Sequence, residues 1–424
     1  MEAALSAISL GRPAQALPLL TPLAAAIQND PTVRRHALRL RNLAAWLVGD
    51  WTEMDVLIAD FCALRELECA ALTPGGPTML AAVLNAPGDL ALARVPIPGD
   101  PGPGFVKIRV RAFGLNFTET LLDGWHVQKL SPVAALVNGI ECAGIVVKAG
   151  TPGSPLVAGT RVVACAGSMG RAVDGTHAEY VIAPETCVVV VREGEDQLPW
   201  RTLAALPMTF GTAAGSLDAC DARAGDVLLV RGATSALGLA CVALAKRLTR
   251  CTTVLATTRR EDGETLAQLT AAGADHVLVD RGSIKRAVRE QFPGGVDCAI
   301  ECVGTATLVD TLQCIRPKGT LCQTGMLGVS TAPLFHSILG QVPSTVKVTC
   351  YESDGMSAHT LEPLIHELAA LLRAGRLPLS IDESEFALDQ VVEAMARMKS
   401  KDRRGKIVVT VPPQPSAGAG GDGE

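Results

Sequence analysis

The sequence predicts an α/β protein: a compact β-barrel-like domain, then a doubly wound parallel sheet, the whole preceded by an α-helical N-terminal extension. Three observations carry this. From residue 79 onward short β-rich runs are divided by Gly and Pro, the texture of a small barrel. From Asp226 strand-like and helical patterns alternate, as a parallel sheet with crossover helices requires. Before Thr73-Pro-Gly-Gly-Pro77 two apolar stripes at helical spacing follow a segment broken by Pro13, Pro18 and Pro22.

In order, residues 1–76 form the extension. Asp30-Pro31 supplies an N-cap oxygen and a proline at N1, and Leu40, Leu43, Ala44, Leu47 and Val48 then mark one apolar face up to Gly49. Asp50 caps a second helix with a stripe at Met54, Leu57, Ile58, Phe61 and Leu64. Helices at 31–48 and 51–68 read as an antiparallel hairpin, either a packing extension or a surface for another protein. The linker is 73–77. Strands expected at 79–84, 105–112, 141–148, 160–164 and 177–182 belong to a first domain, 79–200. A helical run at 203–216 opens the second domain, 201–351, with strands at 227–230, 253–257, 276–279, 296–300 and 320–324. Its helices are expected at 236–247, 264–272, 283–291 and 305–315, and a sixth strand at 346–351 is the candidate edge for pairing two copies into a homodimer. Helices at 360–374 and 386–398 lead to a last strand at 406–411 that returns to the first domain, so 352–411 completes it. Residues 412–424 are low-complexity and expected to be disordered.

Composition narrows the function classes. A net charge of −5 and no polybasic block give no field for nucleic acid or anionic lipid. No run of about 20 apolar residues exists to span a bilayer. Thirteen cysteines include no C-x-x-C pair, and several sit within apolar runs as small hydrophobes. These features predict a soluble cytoplasmic protein, with organelle import left open because the first 28 residues carry only Glu2 and Arg12 as charges.

The stretch Val227-Leu-Leu-Val-Arg231-Gly232-Ala233-Thr-Ser235-Ala236-Leu237-Gly238 is a buried strand, a small-residue turn and a helix start. Such a turn brings backbone N–H groups and a helix N-terminus to a pyrophosphate. Ser235 and Ala236 stand where such turns often carry glycine.

Gly114-Leu-Asn-Phe117, Gly139-Ile-Glu-Cys-Ala-Gly144, Gly159-Thr-Arg-Val-Val163, Asp174-Gly-Thr-His-Ala-Glu-Tyr-Val181, Leu206-Pro-Met-Thr209, Ala272-Gly-Ala-Asp275 and Gly405-Lys-Ile-Val-Val409 follow in order. Over 79–411 the chain thereby resembles the medium-chain dehydrogenase/reductase superfamily, in its zinc-independent, quinone-oxidoreductase-like and enoyl-reductase-like branch. The resemblance implies a GroES-like domain plus a Rossmann domain, with the active site between them. It also implies that the positions of the zinc enzymes' Cys, His and Cys ligands are Asn116, Ile140 and Met208 here, so no metal is expected. Thr212 is placed near the nicotinamide, Cys302-Val303-Gly304 and Gly325-Met326-Leu327 along the ribose and carboxamide, and Lys406 on the adenosine phosphate side. Asn116 is the expected hydrogen-bond donor to the substrate, with a turn-stabilising role as the alternative; Trp125 and His126 are expected to shape the acceptor pocket. Glu141 is expected to brace the first domain. Without a metal, hydride from the cofactor to a quinone or an α,β-unsaturated carbonyl is the expected reaction. The alternatives are an enoyl-thioester reductase of fatty-acid or polyketide type, disfavoured by the lack of an evident tyrosine, and a non-catalytic cofactor-binding scaffold.

The cofactor is expected to be NADPH. An NAD-preferring fold carries an acidic residue about 20 residues past the glycine turn, and this chain has Thr257-Thr258-Arg259-Arg260 there, with no carboxylate before Glu261. Guanidinium groups can take parallel charge-assisted bonds from a 2′-phosphate.

Overall fold

The computed structural model describes residues 76–86, 89–123, 137–171, 173–328, 338–400 and 402–412. The helical hairpin expected at 31–68 and the tail from 413 onward lie outside them. The first strands are β1 (Thr78–Ala86), β2 (Asp89–Pro96), β3 (Phe105–Gly114), β4 (Glu141–Ala149), β5 (Arg161–Cys165), β6 (Tyr180–Pro184) and β7 (Val188–Val190). In β3 the alternation that makes a half-buried strand is plain: Val106, Ile108, Val110 and Ala112 are buried between half-buried Lys107, Arg109 and Arg111. Next come α1 (Trp200–Ala204) and α2 (Pro207–Ala219). The single helical run expected at 203–216 is thus two helices, because Pro207 has no N–H with which to continue the first and starts the second.

The second sheet is built from β8 (Val227–Arg231), α3 (Ala236–Arg247), β9 (Thr253–Thr258), α4 (Gly263–Ala272), β10 (His276–Val279), α5 (Lys285–Gln291), β11 (Val296–Glu301), α6 (Leu308–Leu312), β12 (Ile315–Gln323), α7 (Ile338–Gln341) and β13 (Lys347–Cys350). Then follow α8 (Ala358–Arg373), β14 (Phe386–Ala387), α9 (Val391–Lys399) and β15 (Val408–Thr410). The helix expected at 305–315 shrinks to α6, since Ile315 pairs with Val296 and already belongs to β12. The helix expected at 386–398 begins only at Val391, because Phe386 and Ala387 pair with Val409 and Thr410. The strand expected at 177–182 begins at Tyr180, and β2 and β7 were not anticipated.

The second sheet is parallel throughout, in the order β10-β9-β8-β11-β12-β13. Strand order reverses between β8 and β11, and at such a switch point the loops leaving neighbouring strands part to open a crevice at their carboxyl ends. The first sheet runs β14-β15-β3-β4-β5-β7, with β6 also on β3, and β15 lies antiparallel to β3, so the chain does return to the first domain. One apolar core continues from Ile140, Ala143 and Val163 through α1 and α2 to β8 and α3. The two sheets are therefore joined by packing, and the crevice at the switch point faces the first domain.

Candidate functional site

The glycine turn sits at the switch point. Ser235 caps α3, its Oγ accepting from Gly238 N–H at 3.0 Å and donating to Gly232 O at 2.9 Å. A Cβ at Gly238 would stand 2.6 Å from Ala233 Cα and Gly232 O, so only glycine lets the helix close onto the turn. With Gly238 N–H taken by the cap, the N–H groups of Ala236 and Leu237 remain without intrahelical acceptors, as helix geometry dictates. This cradle fits a pyrophosphate. Across the switch point, Glu301 at the end of β11 accepts from Val303 N–H (2.7 Å) and Gly304 N–H (3.1 Å), holding the loop that contains Cys302 and Val303. The loop after β12, with Gly325, Met326 and Leu327, lies against it: Gly328 N–H bonds Val303 O at 2.6 Å. Cys302 corrects the expectation in one respect. Its side chain is 1% exposed, with its thiol against that of Cys241 in the core, so only its backbone can face a ligand. Thr212 lies within α2 with its hydroxyl toward Met208 Sδ at 3.6 Å.

At the end of β9, Thr258 Oγ accepts from Arg260 N–H at 2.9 Å and shapes the turn, leaving Arg259 exposed and Arg260 half-buried. A third guanidinium, which the sequence did not single out, joins them. Arg403 arrives from the loop before β15, its carbonyl 3.5 Å from Arg260 Nη2 and its own guanidinium 5.7 Å from the Phe117 ring. Burial, then the neighbouring charge of Arg260, disfavours its protonated form. Among the described residues no carboxylate pairs with Arg403. Its neighbour Arg404 does pair, with Asp262 at 3.3 Å and Glu264 at 2.5 Å at the start of α4.

Where the first domain meets α2, a polar cluster is enclosed. Lys406 Nζ lies 2.6 Å from Glu141 Oε1 and donates to Asn116 Oδ1 at 2.7 Å, while Asn116 Nδ2 donates to Glu141 Oε1 at 2.9 Å. Glu141 Oε2 accepts the Met208 N–H at 2.9 Å, so this carboxylate fastens α2 to the first domain. A Cβ at Gly114 would stand 2.5 Å from Lys406 Cε and 2.6 Å from Glu141 Oε1, which explains the glycine two residues before Asn116. Lys406 is corrected by this geometry. Its side chain is 3% exposed and its ammonium is held by Glu141 and Asn116, so it is not a free ligand for an adenosine phosphate. Trp125 and His126 lie outside the described residues.

Beneath Asn116, Glu119 accepts from Asn116 N–H at 2.7 Å and from Ile140 N–H at 3.1 Å. Burial pushes its carboxyl up to about 7, against the pull of the Asn116 N–H and of Lys406 and Arg171. His177, stacked 4.4 Å from the Phe113 ring, is driven down to about 3 by burial and then by Lys406. Its Nε2 is 3.6 Å from Glu119 Oε1, too far for a hydrogen bond, which suits two neutral neighbours. A carboxyl whose folded value is raised stabilises the fold fully below its unfolded value near 4.5, and that contribution is lost as pH rises through 7. His177 acts in the opposite sense at lower pH, so the comparison with Glu119→Gln isolates the carboxyl. Between pH 5 and 8 the wild type should lose on the order of 2–3 kcal/mol relative to Glu119→Gln in urea melts. Parallel curves would show that Glu119 is ionised in the fold.

A second buried network stiffens the crevice from below, and the sequence reading missed it too. Arg231, the last residue of β8, is fully buried. It bonds both oxygens of Asp280 (2.9 and 3.1 Å), Asp310 Oδ2 (2.6 Å), Thr311 Oγ (3.0 Å) and the carbonyls of Gly282 and Thr307. Burial opposes its charge, yet the bonds to Asp280 leave it raised. Thr311 Oγ in turn donates to Glu301 at 2.6 Å. The only sequence signal was an arginine inside a buried strand.

An alcohol dehydrogenase GroES-like domain matches residues 102–193, and a family described as zinc-binding dehydrogenase matches 272–409. A probable quinone oxidoreductase of Leishmania amazonensis is 26% identical over 330 residues, covering 74% of this chain and 91% of that protein. The human synaptic vesicle membrane protein VAT-1 homolog-like is 28% identical over 350 residues, 77% of this chain and 79% of its own. The crystal structure of AibC superposes with a TM-score of 0.64 at 25% identity, over 80% of this chain and 98% of that one. The chain belongs to the medium-chain dehydrogenase/reductase superfamily. Within it, the chain falls in the quinone-oxidoreductase-like branch and is an oxidoreductase. Members of the medium-chain dehydrogenase/reductase superfamily bind a nicotinamide cofactor, and the cradle at Gly238 fits one. A zinc ion fits less well. Of the three residues that the sequence resemblance matches to metal-ligand positions, Ile140 has no lone pair to give, and Asn116 is bonded through both side-chain atoms. Met208 offers only a thioether. Among the described residues no group of three His, Cys, Asp or Glu side chains is arranged to hold a metal, and among them no helix is long and apolar enough to cross a membrane.

Proposed function

We propose that the protein is a zinc-independent, NADPH-dependent reductase of quinones or α,β-unsaturated carbonyl compounds. The observation that carries this reading is that Asn116, at one of the three positions the resemblance matches to the zinc enzymes' ligands (with Ile140 and Met208), has its amide oxygen 2.7 Å from the Lys406 ammonium. When bound, the nicotinamide supplies hydride; the protein's residues position, shield and stabilise. Ala236 and Leu237 N–H groups would hold the pyrophosphate, and the Glu301-braced loop at residues 302–304 with Gly325–Leu327 would flank the ribose and carboxamide. Arg259, Arg260 and Arg403 form a cationic cluster suited to a 2′-phosphate, which supports NADPH over NADH. Asn116, half-buried and with its amide held by Lys406 and Glu141, is the donor assigned to the negative charge that develops on the acceptor's oxygen. Protein treated with chelator and freed of metal should reduce a panel of quinones and enones at the untreated rate. Loss of turnover on chelation, restored by added zinc, would overturn the metal-free reading.

A further inference from the structure

The Lys406–Asn116–Glu141 unit has more order than a structural ion pair needs. Two bonds fix the amide of Asn116 in one sense: turning it over would set its NH2 against the Lys406 ammonium and its oxygen against Glu141. The ammonium on Oδ1 draws electron density out of the amide, which makes its N–H groups stronger donors. One N–H goes to Glu141. The other has no acceptor among the described residues, and Asn116 is half-buried, whereas Glu141 and Lys406 are enclosed. The same lysine lines a narrow crevice between the domains with Thr209, Ala236 and Leu379, the first turn of α3 included.

We propose that Lys406 is a positioning residue that polarises Asn116, and that the second amide N–H of Asn116 meets the oxygen of the acceptor's carbonyl. A buried ammonium acting through an amide thereby supplies the positive charge that favours the developing oxyanion. The inference rests on the hydride-acceptor reading given above. As hydride adds to the acceptor's electrophilic carbon, the π electron pair moves to the carbonyl oxygen. The amide holds that charge without giving up a proton, and water protonates the oxygen afterwards. Glu141 then has two roles: it neutralises the buried ammonium, and it keeps the amide from rotating.

Lys406→Met alone would leave Glu141 buried and unpaired, a strongly destabilising change. The informative variant is therefore E141Q/K406M, which removes both charges together. It should fold and bind NADPH within about threefold of wild type, while kcat falls about 10–100-fold, less than or equal to the typical loss on deleting an oxyanion donor outright. Lys406→Arg, which keeps a cation, should recover part of that loss. A readout independent of turnover is the ionisation of bound 4-nitrophenol, followed by its phenolate absorbance. Wild type should shift it to lower pH than in water, and E141Q/K406M should abolish most of the shift. If 4-nitrophenol does not bind wild type, or ionises there as in water, the inference fails whether or not the double variant folds. It also fails if E141Q/K406M keeps both kcat and the shift. Wild type that turns over no acceptor refutes the hydride-transfer reading itself, whereas full wild-type turnover with an unshifted phenol refutes the inference about Lys406 and Asn116 and leaves that reading standing.

Discussion

Arg231→Met is expected to destabilise the protein by about 3–5 kcal/mol, the typical cost of removing one partner from a buried ion pair. Against a total stability on the order of 5–15 kcal/mol, this is a large fraction. The reason is local. Six bonds converge on one guanidinium, and without it Asp280 and Asp310 lose the cation they share, with Glu301 nearby. Lysine should rescue poorly, because a single ammonium cannot serve Asp280 bidentately and Asp310 at once. The damage should also reach the ligand crevice, since Thr311 links Arg231 to Glu301 and Glu301 holds the N–H groups of Val303 and Gly304. Replacing Asp280 and Asp310 by Asn in the same variant removes the stranded charges and should restore much of the lost stability. Thermal melts decide this: a melting temperature for Arg231→Met within a degree or two of wild type would mean that water or a rearranged partner already satisfies the two aspartates.

Arg259→Ala should weaken NADPH binding about 10–100-fold while NADH binding barely changes. Each charge-assisted bond to a 2′-phosphate contributes roughly 1.5–3 kcal/mol, and about 1.4 kcal/mol is tenfold in affinity. Arg260 and Arg403 remain, so the loss should stop short of abolition, and Arg403→Ala should add to it. Salt should erode the difference, because Arg259 is exposed. Fluorescence titration with both cofactors tests this directly. Equal wild-type affinities for the two, or a preference untouched by any of the three substitutions, would show that these arginines do not read the phosphate.

What was legible in the sequence follows from how local its physics is. The parallel sheet was legible because short apolar stretches, such as Val227–Val230 in β8 and Val277–Val279 in β10, alternate with segments of helical apolar spacing. The glycine turn was legible because close approach demands small residues in a fixed order. Boundaries failed where a residue's partner is distant: Ile315 looks helical by spacing but is claimed by Val296, and Phe386 by Val409. The bonding within the candidate site was not legible. Asn116, Glu141 and Lys406 were each singled out, yet nothing along the chain says that residues 116 and 406 meet at 2.7 Å. Arg231 and Arg403 were passed over for the same reason, since neighbours 49 and 143 residues away, Asp280 for Arg231 and Arg260 for Arg403, leave no periodic trace.

The most direct test of the central claim uses metal-free protein, NADPH carrying deuterium at the transferable C4 position, and a panel of quinones and cyclic enones. The account predicts oxidation of NADPH that persists in chelator, slows with the deuterated cofactor, and leaves deuterium on the carbon β to the carbonyl of a reduced enone. Tight cofactor binding with no turnover of any acceptor, or turnover that vanishes with chelator and returns with zinc, would contradict it.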